Sequence, residues 1–129
     1  MPTGRETCTI LVVDDDEAVR DLAMAILDDL GHETIGSSSG ASALQVLATE
    51  GDRIDALFSD IMMPGMNGFE LAQQAKAVRP DLKIILTSGY VGLEIAIATS
   101  SAMYPTIPKP WRPAQFAKMI AEVLGISGS

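Results

Sequence analysis

A few charged and hydroxyl side chains have the types and spacing needed for phosphoryl chemistry. Three consecutive aspartates occupy positions 14–16, and Asp60, Thr87 and Lys109 each lie at or just beyond the end of an apolar run. Crowded carboxylates repel one another, so either their pKa values rise or a cation joins them. Magnesium prefers oxygen ligands and keeps waters for the phosphate oxygens of a substrate. Asp60 is then a candidate nucleophile toward phosphorus, and the ion, Lys109 and the Thr87 hydroxyl would spread the transferred charge.

Five short segments with the character of β-strands must position these residues. They lie at residues 8–13, 32–36, 54–60, 82–89 and 104–108. The first is an apolar run without polar alternation, as expected of a strand covered on both faces. The carboxyl ends of parallel strands share one edge, where open α/β sheets bind ligands near the topological switch point. The candidate residues follow four of these strands, so one crevice would contain them all.

Helical segments separate the strands, at residues 14–31, 37–51, 67–80, 91–102 and 112–125. The first has acids in its opening turn and Gly31 as a stop, the third ends at Pro80, and the last ends at Gly125. The fourth is a poor helix candidate because β-branched residues dilute it and serines close it early. Strand and helix alternate five times, which predicts an α/β fold, a parallel five-stranded sheet with helices on both faces.

Simpler structural roles fit some of the polar residues. Asp16 is well described as a helix N-cap, although a cap does not explain three acids in a row. The serine-rich segment 37–42 is similar to a phosphate cradle, but it follows the second strand and lacks the P-loop lysine, so a helix cap is the better interpretation. Ser88 fits either a polar residue at the sheet edge or a part of the site.

Composition limits the class of protein. The 129 residues are 47% apolar and 20% charged, which predicts one globular domain over 1–129, with a core of about 8–125 and no output domain. A formal net charge of -8 argues against a nucleic-acid surface or an anionic-membrane surface. Cys8 is the only cysteine, and neither a secretory signal nor a membrane-spanning run is present. We therefore expect a cytoplasmic protein without membrane insertion.

Four motifs, ILVVDDDEAVR, LFSDIMMPGMNGFEL, IILTSGY and PKPW, occur in this order along the chain. Together they resemble the receiver domain of response regulators in two-component signalling, over nearly the whole chain. TSGY with PKPW is similar to receivers attached to hybrid histidine kinases at least as much as to free-standing regulators. The resemblance implies a doubly wound (βα)5 fold with the flavodoxin-like strand order 2-1-3-4-5.

The resemblance also implies a metal site. It makes Mg²⁺ the cofactor, with Asp15 as a direct ligand and Asp14 bound through water. Asp60 and the backbone carbonyl of Met62 complete the protein's share of the ligands.

The phosphoryl site follows from the same resemblance. Asp60 is the implied phosphoacceptor, Thr87 bonds the phosphoryl group and moves with it, and Lys109 pairs with it. The Lys109–Pro110 peptide bond is cis in relatives.

Two positions depart from the family pattern. Relatives carry an aromatic residue three positions before the lysine, where this chain has Thr106. In the family that aromatic side chain communicates phosphorylation to the face formed by the fourth helix, the fifth strand and the last helix, and Thr106 cannot do so in the same way. Tyr104 would lie on the same strand face if the strand is regular, so it is a candidate substitute. Met62 is bulkier and less polar than its counterparts, and we expect it to shield the phosphoryl group from water.

The resulting functional hypothesis is a signalling switch without turnover on a metabolite. A histidine kinase or histidine phosphotransfer protein would phosphorylate Asp60, and a downstream protein target would bind the altered domain without direct contact to nucleic acid. One alternative is a Mg²⁺-dependent phosphatase with an aspartyl-phosphate intermediate, but it needs a second acid where Met62 stands. A flavodoxin-like carrier would need a hydroxyl-rich loop after strand one, where acids stand instead. A receiver module belonging to a hybrid kinase is the third alternative.

Overall fold

Five parallel strands form the sheet in a computed structural model that describes residues 7–89 and 104–125. The strands are β1 (Thr9–Val13), β2 (Glu33–Ser37), β3 (Ala56–Asp60), β4 (Lys83–Ser88) and β5 (Thr106–Pro108). Their order across the sheet is β2-β1-β3-β4-β5, and each neighbouring pair is parallel. The predicted fold class and strand order are confirmed.

The described helices are α1 (Glu17–Asp29), α2 (Gly40–Glu50), α3 (Gly68–Val78) and α4 (Pro113–Leu124), with a 3₁₀ turn at Gly51–Arg53. Their ends follow the sequence signals: the side chains of Asp16 and Ser39 cap α1 and α2, and Gly125 closes α4 in the left-handed conformation at φ 71°. The predicted helix over 91–102 lies outside the described residues. Within the described part of the chain, no helix is both long and apolar enough to cross a membrane.

Each face of the sheet has its own core, because successive strand residues point to opposite faces. In β1, Leu11 and Val13 pack on the side of α2 and α3. Ile10 and Val12 pack on the other side, against α1 and α4. The central strands are therefore apolar at nearly every position, which explains why they lack the alternation of a half-exposed strand.

The register of the sheet aligns the predicted site residues at one edge. Asp60 is the β-ladder partner of Thr87, and Val13, which precedes Asp14, pairs with Ser59. The chain moves outward from β1 to β2 in one direction and to β3 in the other, so the switch point lies between β1 and β3. Asp14 and Asp60 end on the two sides of that switch point.

Gly68 allows α3 to start close to the end of β3. A Cβ added there would lie 2.5 Å from the Asp60 carbonyl oxygen and 2.8 Å from Cα of Ile61, both backbone atoms that cannot swing away. The Gly68 backbone N–H instead donates to the Ile61 carbonyl at 2.9 Å. Glycine is required here by close backbone approach, and this approach fixes the turn that follows Asp60.

Candidate functional site

Three carboxylates meet at the carboxyl edge of the sheet. Asp14 and Asp60 are only 3% and 6% exposed, while Asp15 faces solvent. One carboxylate oxygen from each of the three lies within 4.8 Å of the others. Asp14 is further held by its Oδ1, which accepts a hydrogen bond from the Asp16 backbone N–H at 2.9 Å. The arrangement is an acidic pocket with two buried carboxylates and one at its mouth.

Lys109 reaches this pocket from the segment after β5. Its Nζ lies 3.3 Å from Oδ2 of Asp14 and 3.4 Å from Oδ1 of Asp60. Its backbone is fixed where the sheet ends, because the Lys109 N–H donates to the Ser88 carbonyl at 2.8 Å. The Lys109–Pro110 peptide bond is cis, as the resemblance implies. One ammonium therefore bridges both buried carboxylates.

The charge balance of the pocket raises the pKa of Asp60. Burial is the main cause, since desolvation disfavours the charged carboxylate, and the neighbouring Asp14 charge adds to it. The Lys109 ammonium and a hydrogen bond from the Met62 backbone act in the opposite direction. Lys109 thus offsets only part of the cost of ionising Asp60.

We expect Asp60→Asn to be more stable than the parent at neutral pH in the absence of metal ions. A carboxyl whose pKa is raised by folding stabilises the native state while it is protonated, and that contribution is lost as pH rises through its native pKa. Asparagine does not ionise, so this loss does not occur. The free energy of unfolding at neutral pH should therefore be higher by roughly 1 kcal/mol, which corresponds to about 3–5 °C in melting temperature. The gain should shrink as pH falls toward 3.8, the ordinary value for an aspartate. Thermal melts of both proteins across this pH range measure it, and a gain independent of pH would contradict the electrostatic explanation.

The donor set suits a hard divalent cation. All three side chains offer oxygen only, which matches Mg²⁺ and not a softer transition metal. Asp14 and Asp60 share the single ammonium of Lys109 with Asp15 close by, an acidic grouping that a divalent cation would help to neutralise. Asp14, Asp15 and Asp60 are the side chains that could hold the ion. The Met62 carbonyl, the remaining predicted ligand, follows Asp60 by two residues.

Thr87 occupies the neighbouring strand end, and its hydroxyl bonds partners outside the acidic cluster. It is fully buried, and its hydroxyl donates to the Ile107 carbonyl at 2.7 Å. The same oxygen accepts a hydrogen bond from Nε1 of Trp111 at 2.8 Å. Sequence reasoning missed Trp111; the available signal was a single tryptophan two residues after the lysine.

The remaining candidates lie outside the pocket. The Ser88 hydroxyl donates to the Gly89 carbonyl at 3.0 Å, a local contact at the strand end. β5 begins only at Thr106, so Tyr104 precedes the strand and the alternation argument for it does not apply. Tyr104 instead lines a depression with Leu82 and Val123, while the Thr106 hydroxyl donates to the Tyr104 carbonyl at 3.2 Å.

Comparison with known proteins supplies the family. Residues 10–121 match the family described as "Response regulator receiver domain". Sensor kinase CckA of Brucella abortus (strain 2308) is 33% identical over 121 residues, which cover 92% of this chain and 13% of CckA. The DNA-binding transcriptional regulator NtrC of Azospirillum brasilense is 34% identical over 117 residues, covering 90% of this chain and 24% of NtrC. The chain thus spans a quarter or less of the length of these two relatives.

A solved structure agrees with the fold. The response regulator receiver domain protein (CheY-like) from Methanospirillum hungatei JF-1 aligns with a TM-score of 0.80 at 32% identity. The alignment covers 92% of this chain and 94% of that one.

Proposed function

This chain belongs to the response regulator receiver domain family, and from that membership we propose that it is a phosphorylation switch whose acceptor is Asp60. The observation that carries the proposal is one pocket in which a buried Asp60 contacts Lys109 and lies within 4.8 Å of Asp14 and Asp15 oxygens. The phosphodonor in this proposal is a histidine kinase or a histidine phosphotransfer protein.

The chemistry we propose is the transfer of a phosphoryl group from the imidazole of the donor to the carboxylate of Asp60. A carboxylate oxygen of Asp60 forms a bond to phosphorus while the bond from phosphorus to the donor's imidazole nitrogen breaks, and that nitrogen keeps the electron pair. Loss of the phosphoryl group is the attack of water on phosphorus, which releases inorganic phosphate and returns the carboxylate. The protein supports its own phosphorylation and dephosphorylation and has no turnover on a metabolite.

The charged residues of the pocket have distinct roles in this proposal. Lys109 neutralises charge on the transferring group, because its Nζ already lies 3.4 Å from the Asp60 carboxylate. Asp14 and Asp15 would hold Mg²⁺ together with Asp60 and the Met62 carbonyl. When bound, the ion supplies positive charge to the phosphoryl oxygens and orients them for in-line transfer.

The output we propose is a shift between two conformations that changes how a downstream protein binds. Thr87 is the residue expected to move, and the face formed by the segment over 91–102, β5 and α4 is the expected binding surface.

We also propose a cytoplasmic location, supported by a single cysteine in the sequence. Attachment to a kinase is one version of this proposal, supported by the similarity to the sensor kinase CckA, and the equal similarity to NtrC supports attachment to a transcriptional regulator.

The phosphatase alternative has a specific weakness in this chain. An aspartyl-phosphate phosphatase needs a second acid two residues after its nucleophile, and that position holds Met62, which is 52% exposed. Hydrolysis of a small phosphate ester with many turnovers would favour the phosphatase.

The proposal is tested by incubating the protein with acetyl phosphate, with and without Mg²⁺, and measuring intact mass. We expect one phosphoryl group to be added only when Mg²⁺ is present. Peptide mapping should locate it on the peptide that contains Asp60. A mass that never changes, or a phosphoryl group elsewhere, would refute the proposal.

We expect Met62→Asn to lose its phosphoryl group faster than the parent, by about threefold to tenfold. Met62 follows the acceptor by two residues, and its apolar side chain limits the access of water to phosphorus. Asparagine is smaller and can hold a water by hydrogen bonding. The decay of the phosphorylated mass after removal of the donor gives the rate, with Met62→Leu as the apolar control. Equal decay of Met62→Asn and the parent would refute the shielding role.

A further inference from the structure

The Thr87 hydroxyl uses its single O–H and one of its lone pairs on partners other than Asp60. It donates to Ile107 of β5 and accepts from the indole of Trp111, at 2.7 Å and 2.8 Å. β4 lies between β3 and β5, so an oxygen bonded to the Ile107 carbonyl faces away from the strand of Asp60. In the orientation described, the single O–H of Thr87 is committed to Ile107 and cannot also be donated to a group on Asp60.

Packing aims the Trp111 indole at this hydroxyl. The Trp111 ring meets Phe58 at a centroid distance of 5.7 Å and an interplanar angle of 72°. It meets Phe116 at 5.4 Å and 73°, and both phenylalanines are buried. Edge-to-face contacts of this kind fix the plane of a ring. The direction of the indole N–H is therefore set by the core between the sheet and α4.

One short segment touches both halves of the site. Lys109 contacts Asp60, and Trp111, two residues later, contacts Thr87. Trp111 also lines an apolar groove with Val19 and the 55% exposed Leu22 of α1. A change in the orientation of Thr87 can thus alter the surface next to α1 through the side chain of Trp111.

We propose that Trp111 is a positioning residue that holds the Thr87 hydroxyl in its resting orientation through the indole N–H and is released when Asp60 is phosphorylated. The resting hydrogen bond is argued from the geometry alone, whereas the release on phosphorylation rests on the proposed function. A phosphoryl group on Asp60 offers anionic oxygens, which are stronger acceptors than the Ile107 carbonyl. To donate to them, Thr87 must give up the Ile107 carbonyl and turn its hydroxyl toward Asp60, which moves the accepting oxygen away from the indole.

This arrangement supplies an aromatic partner for Thr87 at a different position from the usual one. The position three residues before the lysine is Thr106, whose hydroxyl donates to the Tyr104 carbonyl. Trp111 carries an N–H that phenylalanine lacks, so the contact depends on tryptophan specifically. One hydrogen bond of this type shifts an equilibrium by about threefold to tenfold.

The resting contact is tested without any phosphodonor. The chain has a single tryptophan, so its indole N–H gives one signal in a nitrogen–proton NMR spectrum. We expect Thr87→Val to speed the exchange of that proton with solvent by about threefold to tenfold, because the bond is lost. Thr87→Ser keeps a hydroxyl and should keep the slow exchange. Equal exchange in Thr87→Val and the parent would overturn the proposal.

The coupling is tested with acetyl phosphate and Mg²⁺. When intact mass shows the parent phosphorylated, the indole signal should shift, and a signal that stays in place would overturn the release.

Trp111→Phe should be phosphorylated about threefold to tenfold faster than the parent, because the resting orientation is weakened. The same substitution should have no effect in a Thr87→Val background, and an equal effect in both backgrounds would overturn the role assigned to the N–H. If the parent is never phosphorylated, the proposed function and the release both fail, while the exchange measurement decides the resting contact separately.

Discussion

We expect Asp60→Asn to slow phosphoryl transfer from acetyl phosphate by more than about a hundredfold while the protein stays folded. The amide has nearly the shape of the carboxylate but no anionic oxygen to form the bond to phosphorus. Asp14 lies in the same pocket and also contacts Lys109, so the substitution tests whether the acceptor is Asp60 and not Asp14. The measurement is intact mass over time at a fixed donor concentration.

The matched control for this prediction is Asp52→Asn. Asp52 is exposed in the 3₁₀ turn that precedes β3, at the opposite edge of the sheet, and the substitution makes the same change in charge. It should be phosphorylated at the rate of the parent. The expected rise in the stability of Asp60→Asn separates lost chemistry from lost folding. Phosphorylation of Asp60→Asn at the parent's rate would mean that another side chain is the acceptor.

The sequence predicted the fold because its signals agree at each level. Asp16, Ser39 and Gly125 mark helix ends by local hydrogen bonding or backbone conformation, which neighbouring residues largely determine. The apolar central strands indicated a sheet covered on both faces, and the alternation of elements indicated parallel pairing. The order 2-1-3-4-5 came from the family resemblance, since periodicity does not specify which strands are neighbours.

The acidic pocket was also predictable, because parallel strands bring their carboxyl ends to one edge whatever the details of packing. The partners of Thr87 were not. Its bond to Trp111 depends on how the chain turns after Lys109 and on the aromatic packing with Phe58 and Phe116. Such contacts follow from three-dimensional packing between distant segments, which a single sequence does not encode in any local pattern.

Tyr104 and His32 show the same limit. Tyr104 was assigned to a regular strand, but the strand has only three residues and starts after it. His32 is buried, and its Nδ1 accepts the Cys8 backbone N–H at 3.1 Å, a contact between segments 24 residues apart. Burial lowers the pKa of His32, and the nearby Asp55 charge opposes this. Both outcomes depend on where strands begin, which is the least determined property of a sequence pattern.

Lys109→Gln should change phosphorylation and metal binding in opposite directions. The glutamine keeps a polar side chain but removes the charge that lies 3.4 Å from Asp60, so phosphoryl transfer should slow by about a hundredfold or more. The same ammonium competes with a divalent cation for Asp14 and Asp60, so its removal should tighten Mg²⁺ binding by roughly tenfold. Intact mass gives the first quantity, and isothermal titration calorimetry with Mg²⁺ gives the second.

Slower phosphoryl transfer combined with tighter Mg²⁺ binding is not the result that damage to the fold would produce. A misfolded pocket would lose both phosphorylation and metal affinity, whereas loss of a single charge separates them. Lys118→Gln, which removes an exposed lysine of α4, is the matched control and should change neither quantity. If Lys109→Gln bound Mg²⁺ more weakly than the parent, Lys109 would be organising the two carboxylates and not competing with the ion. Its contribution to transfer would then include holding Asp14 and Asp60 in place, because Nζ contacts both carboxylates.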